Sequence, residues 1–307
     1  MQPTSYVIAE ICMQFQFNNL LLDGDIDPKD VLVLRHRPKQ PKLRKVLPWL
    51  AEENPKVFNA YQQTQKPKAE KAMQQAKSVA SFIGHESGKA VFVGLYKVNG
   101  YESLSFDQYR KEPTLSELTE KYEMEGMTDE HDKTLWFDLV LLEFYSKWKG
   151  KLIIRWPGGE RCWYRWADRK KNEFEILAIT EDSILVSEMP EWNQLILTWS
   201  ELKYLPEKWR DKLSQWRGIY FIIDVSDGKG YVGAAYGHDN LLGRWLNYAK
   251  SGHGDNKQLR NRNPENFRFS ILQRVSPDIE PSEVQFIEKT WKDRLHTRER
   301  EVGLNDN

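Results

Sequence analysis

Residues 218–235 read GIYFIIDVSDGKGYVGAA, two β-rich runs on either side of a turn at residues 227–230. Apolar and β-branched residues around a turn rich in Gly and Asp predict a β-hairpin. Because side chains alternate between the two faces of a strand, a loop of either two or four residues places Tyr220 and Tyr231 on the same face. Gly233 falls on that face too, where its missing side chain leaves room for a ligand or another backbone to approach closely.

Two helices are predicted on the C-terminal side of this hairpin. Residues 240–250, NLLGRWLNYAK, place Arg244 and Tyr248 four positions apart and therefore side by side on one face. Residues 281–295 begin with a proline, which favours a first helical turn, and have apolar side chains at helical spacing. Glu288 lies on that apolar stripe. A carboxylate in such a position is costly unless it pairs with a cation or binds a metal.

Short motifs of this C-terminal third follow one another in a recognisable order. They are GIY at 218–220, YVG at 231–233, Arg244, Glu288 within EKTWK, and GLN at 303–305. In this order they resemble the GIY-YIG nuclease family over about residues 216–307, and the one departure is Val232 in place of isoleucine. The resemblance implies a small α/β nuclease domain that acts on DNA.

The resemblance assigns a role to each matched residue in the hydrolysis of a phosphodiester bond. That reaction needs a base for water, stabilisation of charge on the phosphoryl oxygens and assistance to the leaving 3′ oxygen. By the resemblance Tyr220 is the base, with its pKa lowered by the metal and by Arg244. The other implied roles are Mg²⁺ (or Mn²⁺) binding by Glu288, clamping of the phosphate by Arg244, positioning of water and phosphate by Tyr231 and Tyr248, and orientation of the site by Asn305.

Each of these residues also has a structural alternative. A single tyrosine on a strand or helix is ordinarily a half-buried aromatic side chain. Arg244 and Glu288 could form a structural ion pair with each other. His253, in the loop SGHGDN, could contact DNA or could simply belong to a turn. The joint pattern, rather than any one residue, indicates a nuclease.

Residues 1–205 are predicted to form a strand-rich domain, a curved sheet or a β-barrel, which makes the chain α+β as a whole. Asn99-Gly100 predicts a tight turn after a strand at 90–98. The PGGE run at 157–160 predicts a hairpin between strands at 152–156 and 161–166. Further strands are predicted at 31–34, 135–144, 174–179, 184–187 and 195–199, and helices at 47–64, 67–80 and 114–123. A helical connector at 200–216 leads into the second domain, 206–307.

A basic, tryptophan-rich stretch spans residues 147–171, with nine basic and two acidic residues. Cations contact phosphates and flat aromatic rings stack on bases, so this stretch favours DNA recognition. The strand-rich layout distantly resembles PUA-superfamily readers, including EVE-like domains, which implies a flipped and often modified base in an aromatic pocket. The candidates for phosphate contacts are Arg155, Arg161, Arg165, Arg169, Lys170 and Lys171. The candidates for the pocket wall are Trp136, Trp156, Trp163 and Trp166, with core packing as the alternative for each.

The charges of the chain cancel, since 45 basic and 45 acidic residues occur among its 307. A neutral protein does not bind nucleic acid indiscriminately, but the charges here are segregated. Residues 35–45 are basic without an acidic residue, whereas residues 114–143 hold nine acidic and two basic residues. The absence of a long apolar run predicts no membrane span, and only two cysteines exclude a disulfide scaffold. With no signal peptide in view, we expect a cytoplasmic protein.

Several functions fit these observations. The first is a Mg²⁺-dependent restriction endonuclease of bacterial or archaeal defence that acts on modified DNA. The second is a sequence-specific restriction or homing-type endonuclease, or a DNA-repair nuclease. The third is a DNA-binding module whose nuclease fold only docks. Because one such site cuts one strand at a time, cleavage of both strands requires two sites and favours a homodimer, at least on DNA.

Overall fold

The computed structural model describes residues 15–127, 133–159 and 162–306. The chain is mixed α+β and divides into two compact units between Val186 and Ser187. This division comes earlier than the sequence-based one after residue 205, because Ile196–Thr198 pairs with a strand near the C-terminus and so belongs to the second sheet. No helix of the described residues is long and apolar enough to cross a bilayer.

Strands and helices are mixed along the first unit. The strands are Val31–His36 (β1), Ser78–Gly84 (β2), Lys89–Ser105 (β3), Lys133–Leu141 (β4), Leu152–Arg155 (β5), Tyr164–Trp166 (β6) and Ile176–Ile179 (β7). The helices are Phe17–Asp23 (α1), Pro41–Glu53 (α2), Pro55–Gln63 (α3), Pro67–Met73 (α4), Phe106–Lys111 (α5) and Pro113–Tyr122 (α6), with 3₁₀ turns at Pro28–Asp30 and Glu143–Trp148. A proline begins α2, α3, α4 and α6, where its missing N–H costs no helical hydrogen bond.

The first unit's strands form one seven-stranded sheet, curled into a half-barrel, which confirms the predicted curved sheet. The order is β6-β1-β2-β3-β5-β7, and β4 also pairs with β3. The β1–β2 pair is parallel and the other pairs are antiparallel. Alternation along β1 gives the sheet two buried faces: Val31 and Val33 pack in one core, Leu32 and Leu34 in the other.

Three element predictions for this unit are wrong. The helix expected at 67–80 ends at Met73, and the chain returns as strand β2 from Ser78. The helix expected at 47–64 is two helices, because Pro55 lacks the N–H that would continue the first one. The expected strand at 184–187 is a run of bends.

Two turn predictions are also wrong, because distant residues decide strand pairing. Strand β3 continues through Asn99-Gly100, where a bulge lies between Val98 and Gly100 and Gly100 adopts φ 149°. The strands on either side of residues 157–160 do not pair with each other. Strand β5 pairs with β3 and β7, whereas β6 pairs with β1 at the far end of the strand order.

The second unit is a smaller antiparallel sheet with helices on both faces. Its strands are Ile196–Thr198 (β8), Arg217–Asp224 (β9), Gly230–Ala235 (β10) and Phe267–Val275 (β11), in the order β10-β9-β11-β8. Its helices are Glu207–Gln215 (α7), Asn240–Ser251 (α8) and Pro281–Arg294 (α9), with 3₁₀ turns at Glu201–Tyr204 and Pro264–Asn266. Helices α7 and α8 contribute Leu213 and Trp245 to one core, and α9 contributes Val284 to the other. The expected connector at 200–216 therefore belongs to this unit.

The hairpin β9–β10 is present, but its register differs by two residues from one of the predicted registers and by four from the other. Tyr231 pairs with Ile222, two positions beyond Tyr220, so the side chains of the two tyrosines share a face as predicted. A shift of register by an even number of residues keeps every side chain on its original face. The prediction of faces therefore holds although the prediction of the loop does not.

A substitution at Gly218 tests how this hairpin packs against β11. A Cβ at this position would overlap the main-chain oxygen of Gln273, beside the bulge in β11. Gly218→Ala should therefore lower the free energy of unfolding by about 1–3 kcal/mol, measured by urea denaturation of the full chain. Gly237→Ala is the matched control, since a Cβ there meets no atom within 4 Å and should change stability by less than about 0.5 kcal/mol. Equal stability of the two variants would contradict the assigned packing.

Candidate functional site

The hydroxyl groups of two tyrosines meet in the core of the second unit. The Tyr220 and Tyr248 hydroxyl oxygens lie 3.1 Å apart, and both side chains are fully buried. Arg244 donates from Nε to the Tyr220 hydroxyl at 3.0 Å. The helical spacing of Arg244 and Tyr248 places both side chains beside the strand that holds Tyr220. The structure thus brings together three of the predicted site residues in one hydrogen-bonded group, which we call the tyrosine–arginine cluster.

Tyr231 lies next to this cluster from the neighbouring strand. Its ring centroid is 6.4 Å from that of Tyr220, and its side chain is half-buried rather than enclosed. Gly233 provides the space for this arrangement, because a Cβ there would overlap the Tyr220 ring. The close approach predicted at Gly233 is therefore made by a side chain of the same hairpin.

Arg244 keeps a charge that no carboxylate of the described residues neutralises. Its guanidinium carbon lies 5.5 Å from the centroid of the Tyr248 ring, and its Nε is bonded to Tyr220. No Asp or Glu pairs with Arg244 among the residues that the structure describes. A half-buried guanidinium that is oriented by phenols and lacks a counter-ion is suited to an external anion, and its Nη edge matches the geometry of a phosphate.

Burial raises the pKa of Tyr220 well above the usual tyrosine range, and the neighbouring Tyr231 adds to this, while Arg244 and Tyr248 oppose it. Burial also raises the pKa of Tyr248, with a further contribution from Tyr220. The protein by itself therefore does not lower the pKa of Tyr220, contrary to the expectation for a base. Both phenols are neutral at physiological pH, so the cluster has the single positive charge of Arg244.

Glu288 is paired with a lysine that the sequence analysis did not single out. Its Oε1 lies 3.0 Å from Nζ of Lys292, one helical turn further along α9, and both side chains are largely buried. The alternative ion pair between Arg244 and Glu288 is not formed. The signal for Lys292 was present in the sequence, because Glu followed by Lys four residues later is a favourable helical pair.

The donor set at Glu288 fits a sparsely coordinated Mg²⁺. The second oxygen of Glu288 has no partner among the described residues, which also contain no group of three or more His, Cys, Asp or Glu side chains suited to a metal. Mg²⁺ prefers hard oxygen ligands and is commonly held by one or two carboxylates together with waters and substrate phosphates. Glu288 could supply that one carboxylate.

Asn305 fastens the C-terminal segment to the edge of strand β10. Its Oδ1 accepts from the Val232 N–H and its Nδ2 donates to the Val232 carbonyl, both at 2.9 Å. The Leu304 N–H donates to the Gly230 carbonyl at 2.8 Å beside this pair. Asn305 thus holds the main chain next to Tyr231.

His253 lies in a turn, where its Nδ1 accepts from the Asp255 N–H at 3.0 Å. Its ring is partly exposed, and its contact with DNA stays a prediction.

The four candidate tryptophans of the first unit do not line one pocket. Trp156 is buried in the core that contains Val31, and Trp166 packs against the core on the opposite face of the sheet. Trp163 donates from Nε1 to Gln65 at 3.4 Å, and Trp136 is half-buried on β4. Trp136 and Trp166 lie on different strands, and Trp156 and Trp163 lie just outside β5 and β6.

The basic candidates of the first unit fall into two groups. Arg155 is paired with Glu175 at 2.7 Å, and Arg165 donates to Asn172 at 3.1 Å and lies over the Trp156 ring. In contrast, the exposed side chains of the run 169–171 have no ion-pair partner among the described residues; they are Arg169, Lys170 and Lys171. Arg161 lies outside the described residues.

Comparison with known proteins identifies no similar protein. No protein-family model, no curated protein and no solved structure matches the chain.

Asn305 offers a direct test of how the C-terminal segment is held. Asn305→Ala leaves the buried N–H and carbonyl of Val232 without partners and should lower the free energy of unfolding by about 2–4 kcal/mol. Asn261→Ala is the control, because this exposed side chain has no hydrogen bond among the described residues and its loss should cost less than about 0.5 kcal/mol. Urea denaturation followed by tryptophan fluorescence measures both. A similar small change for the two variants would show that the Val232 contacts are not formed.

Proposed function

We propose that this protein is a Mg²⁺-dependent (or Mn²⁺-dependent) endonuclease that hydrolyses phosphodiester bonds in DNA. The observation that supports it is Arg244, a half-buried cation held by two buried phenols with no carboxylate partner in the described part of the chain. A phosphodiester is an anion of the size and geometry that such a guanidinium binds. The reaction, phosphodiester hydrolysis, is proposed because the ordered motifs of residues 218–305 resemble those of the GIY-YIG nuclease family.

Each residue of the site has a distinct task under this proposal. Arg244 binds the scissile phosphate and stabilises the charge that develops on its oxygens. Tyr220 and Tyr248 hold the guanidinium, while Tyr231, the more accessible phenol, orients the attacking water. Glu288 would hold the metal ion, which when bound supplies Lewis-acid stabilisation of the phosphoryl and leaving 3′ oxygens.

Lys292 limits how Glu288 can be used. Its ammonium lies on one carboxylate oxygen, so a cation at Glu288 takes the other oxygen or displaces the lysine. In the first case Lys292 fixes the orientation of the carboxylate. The base that activates water is a phenol only if bound cations lower its pKa, since burial acts in the opposite direction.

The first unit is proposed to choose the DNA target. Its exposed basic run, residues 169–171, is suited to the phosphate backbone. Trp136, Trp163 and Trp166 remain the candidates for contact with a base, because none of them is fully buried. We propose a PUA-like reader of modified bases in a cytoplasmic restriction enzyme of bacterial or archaeal defence. A sequence-specific restriction, homing-type or repair nuclease is the alternative, and a homodimer on DNA would be needed to cut both strands.

Cleavage of DNA tests the nuclease proposal. The protein with Mg²⁺ should cleave at least one of a set of plain and modified DNAs, and Glu288→Gln and Arg244→Ala should each slow cleavage by about 100-fold or more. Glu301→Gln, an exposed glutamate, is the matched control and should leave the rate unchanged. Unaltered unfolding curves would show that the slow variants are folded. Full activity of Glu288→Gln would overturn the assignment of Glu288 as the metal ligand. DNA binding by the wild-type protein without any cleavage would overturn the nuclease proposal and favour the third function, a DNA-binding module.

The target preference is tested with one DNA sequence in four forms: plain, methylated, hydroxymethylated and glucosylated. A modified-base reader should make at least one modified form react about tenfold faster or more than the plain form, since it extrudes and encloses the altered base. Equal rates on all four forms would contradict this reading. A preference for flaps or lesions would favour repair.

A further inference from the structure

A polar cleft lies on the same face of the second unit's sheet as the tyrosine–arginine cluster. Its volume is about 460 Å³. It is lined by Asp224, Ser226, Lys257, Gln258, Asn261, Arg262 and Asn263, all of them polar or charged. None of these residues belongs to the nuclease motifs, and a cleft without apolar lining is unsuited to a hydrophobic ligand.

The base of the cleft is a preorganised ion network. Arg262 is paired with Asp224 at 2.7 Å and with Asp227 at 3.0 Å. Asp224 is almost completely buried and also accepts from the N–H and hydroxyl of Ser226. These mutual contacts hold the base in place without a ligand and leave it one net negative charge, because two carboxylates face one guanidinium.

The rim of the cleft, in contrast, offers polar groups that are not satisfied by the protein. Lys257 and Asn261 are exposed, and neither has a hydrogen bond or an ion pair with another described residue. An ammonium group suits a phosphate, whereas a carboxamide can donate to and accept from a base edge or a sugar. The rim thus combines the two kinds of contact that a nucleotide requires.

The cleft and the cluster share one face of the sheet. Asp224 lies four residues after Tyr220 on strand β9, so alternation points both side chains to the same side, about 13 Å apart along the strand. The segment that lines the cleft packs into the same core as Tyr248 through Leu259. Gln258 also donates to Asp306 at 2.6 Å, next to the Asn305 contacts at β10. A DNA strand advances this distance in about four nucleotides of duplex.

We propose that this cleft binds the DNA strand a few nucleotides away from the phosphate held by Arg244. Lys257 contacts a backbone phosphate and Asn261 contacts the adjoining sugar or base edge. The inference rests on the proposed nuclease function for its choice of ligand. It adds a second anchoring point, which fixes the direction of the strand across the tyrosine–arginine cluster.

Binding without cleavage tests the cleft. A fluorescein-labelled duplex of about 20 base pairs is titrated in EDTA against the full chain, and Kd is measured by anisotropy at several salt concentrations. The double variant Lys257→Ala/Asn261→Ala should bind roughly tenfold more weakly at about 0.1 M salt, with a salt slope smaller by about one. Lys250→Ala, which removes an exposed lysine outside the cleft, is the matched control and should change Kd by less than about threefold.

The outcomes separate the cleft from the chemistry. A double variant that matches Lys250→Ala in Kd and salt slope overturns the cleft inference even if the wild-type protein cleaves DNA. Weakened binding by the double variant together with no cleavage by the wild type supports the cleft and overturns the nuclease. A wild-type protein that binds no DNA overturns both.

Discussion

The hydroxyl of Tyr220 is the contact on which the second unit's site depends. A fully buried hydroxyl must be hydrogen-bonded, and here its partners are the Tyr248 hydroxyl and Nε of Arg244. These bonds orient the arginine without neutralising it, since phenols have no charge at physiological pH. The hairpin, the first turns of α8 and the absent side chain at Gly233 are all needed to place this one oxygen. An oriented and uncompensated cation is the result.

The C-terminal segment contacts both strand β10 and the loop after α8. Asn305 pairs with Val232 through both ends of its carboxamide, which extends the hydrogen bonding of strand β10 beyond the four strands. The same segment meets the loop after α8 through Asp306 and Gln258. The site, the chain end and the polar cleft therefore lie along one stretch of the second unit.

Some aromatic and basic residues of the first unit are packed in its core, and others are exposed at its surface. Trp156 contributes to the core and has Arg35 and Arg165 over its ring, so part of the basic, tryptophan-rich stretch is structural. Residues 169–171 remain available at the surface. The net charge of zero therefore conceals a local difference between paired and unpaired cations, and it is the unpaired ones that can contact a phosphate backbone.

Local rules determined what the sequence could predict. The shared face of Tyr220 and Tyr231, the adjacency of Arg244 and Tyr248, and the unusual position of Glu288 follow from periods of two and of 3.6 residues, which need no knowledge of distant partners. The sequence could not predict which strands pair with each other across the sheet. The predicted helix at 67–80 includes the first three residues of strand β2, Asn99-Gly100 forms a bulge, and the strands around residues 157–160 pair with distant strands, because each outcome depends on the neighbouring strand. The tertiary structure alone decided that Arg244 does not pair with Glu288, and that burial raises the pKa of Tyr220. Charge pairing and desolvation depend on which groups the fold brings within a few ångströms.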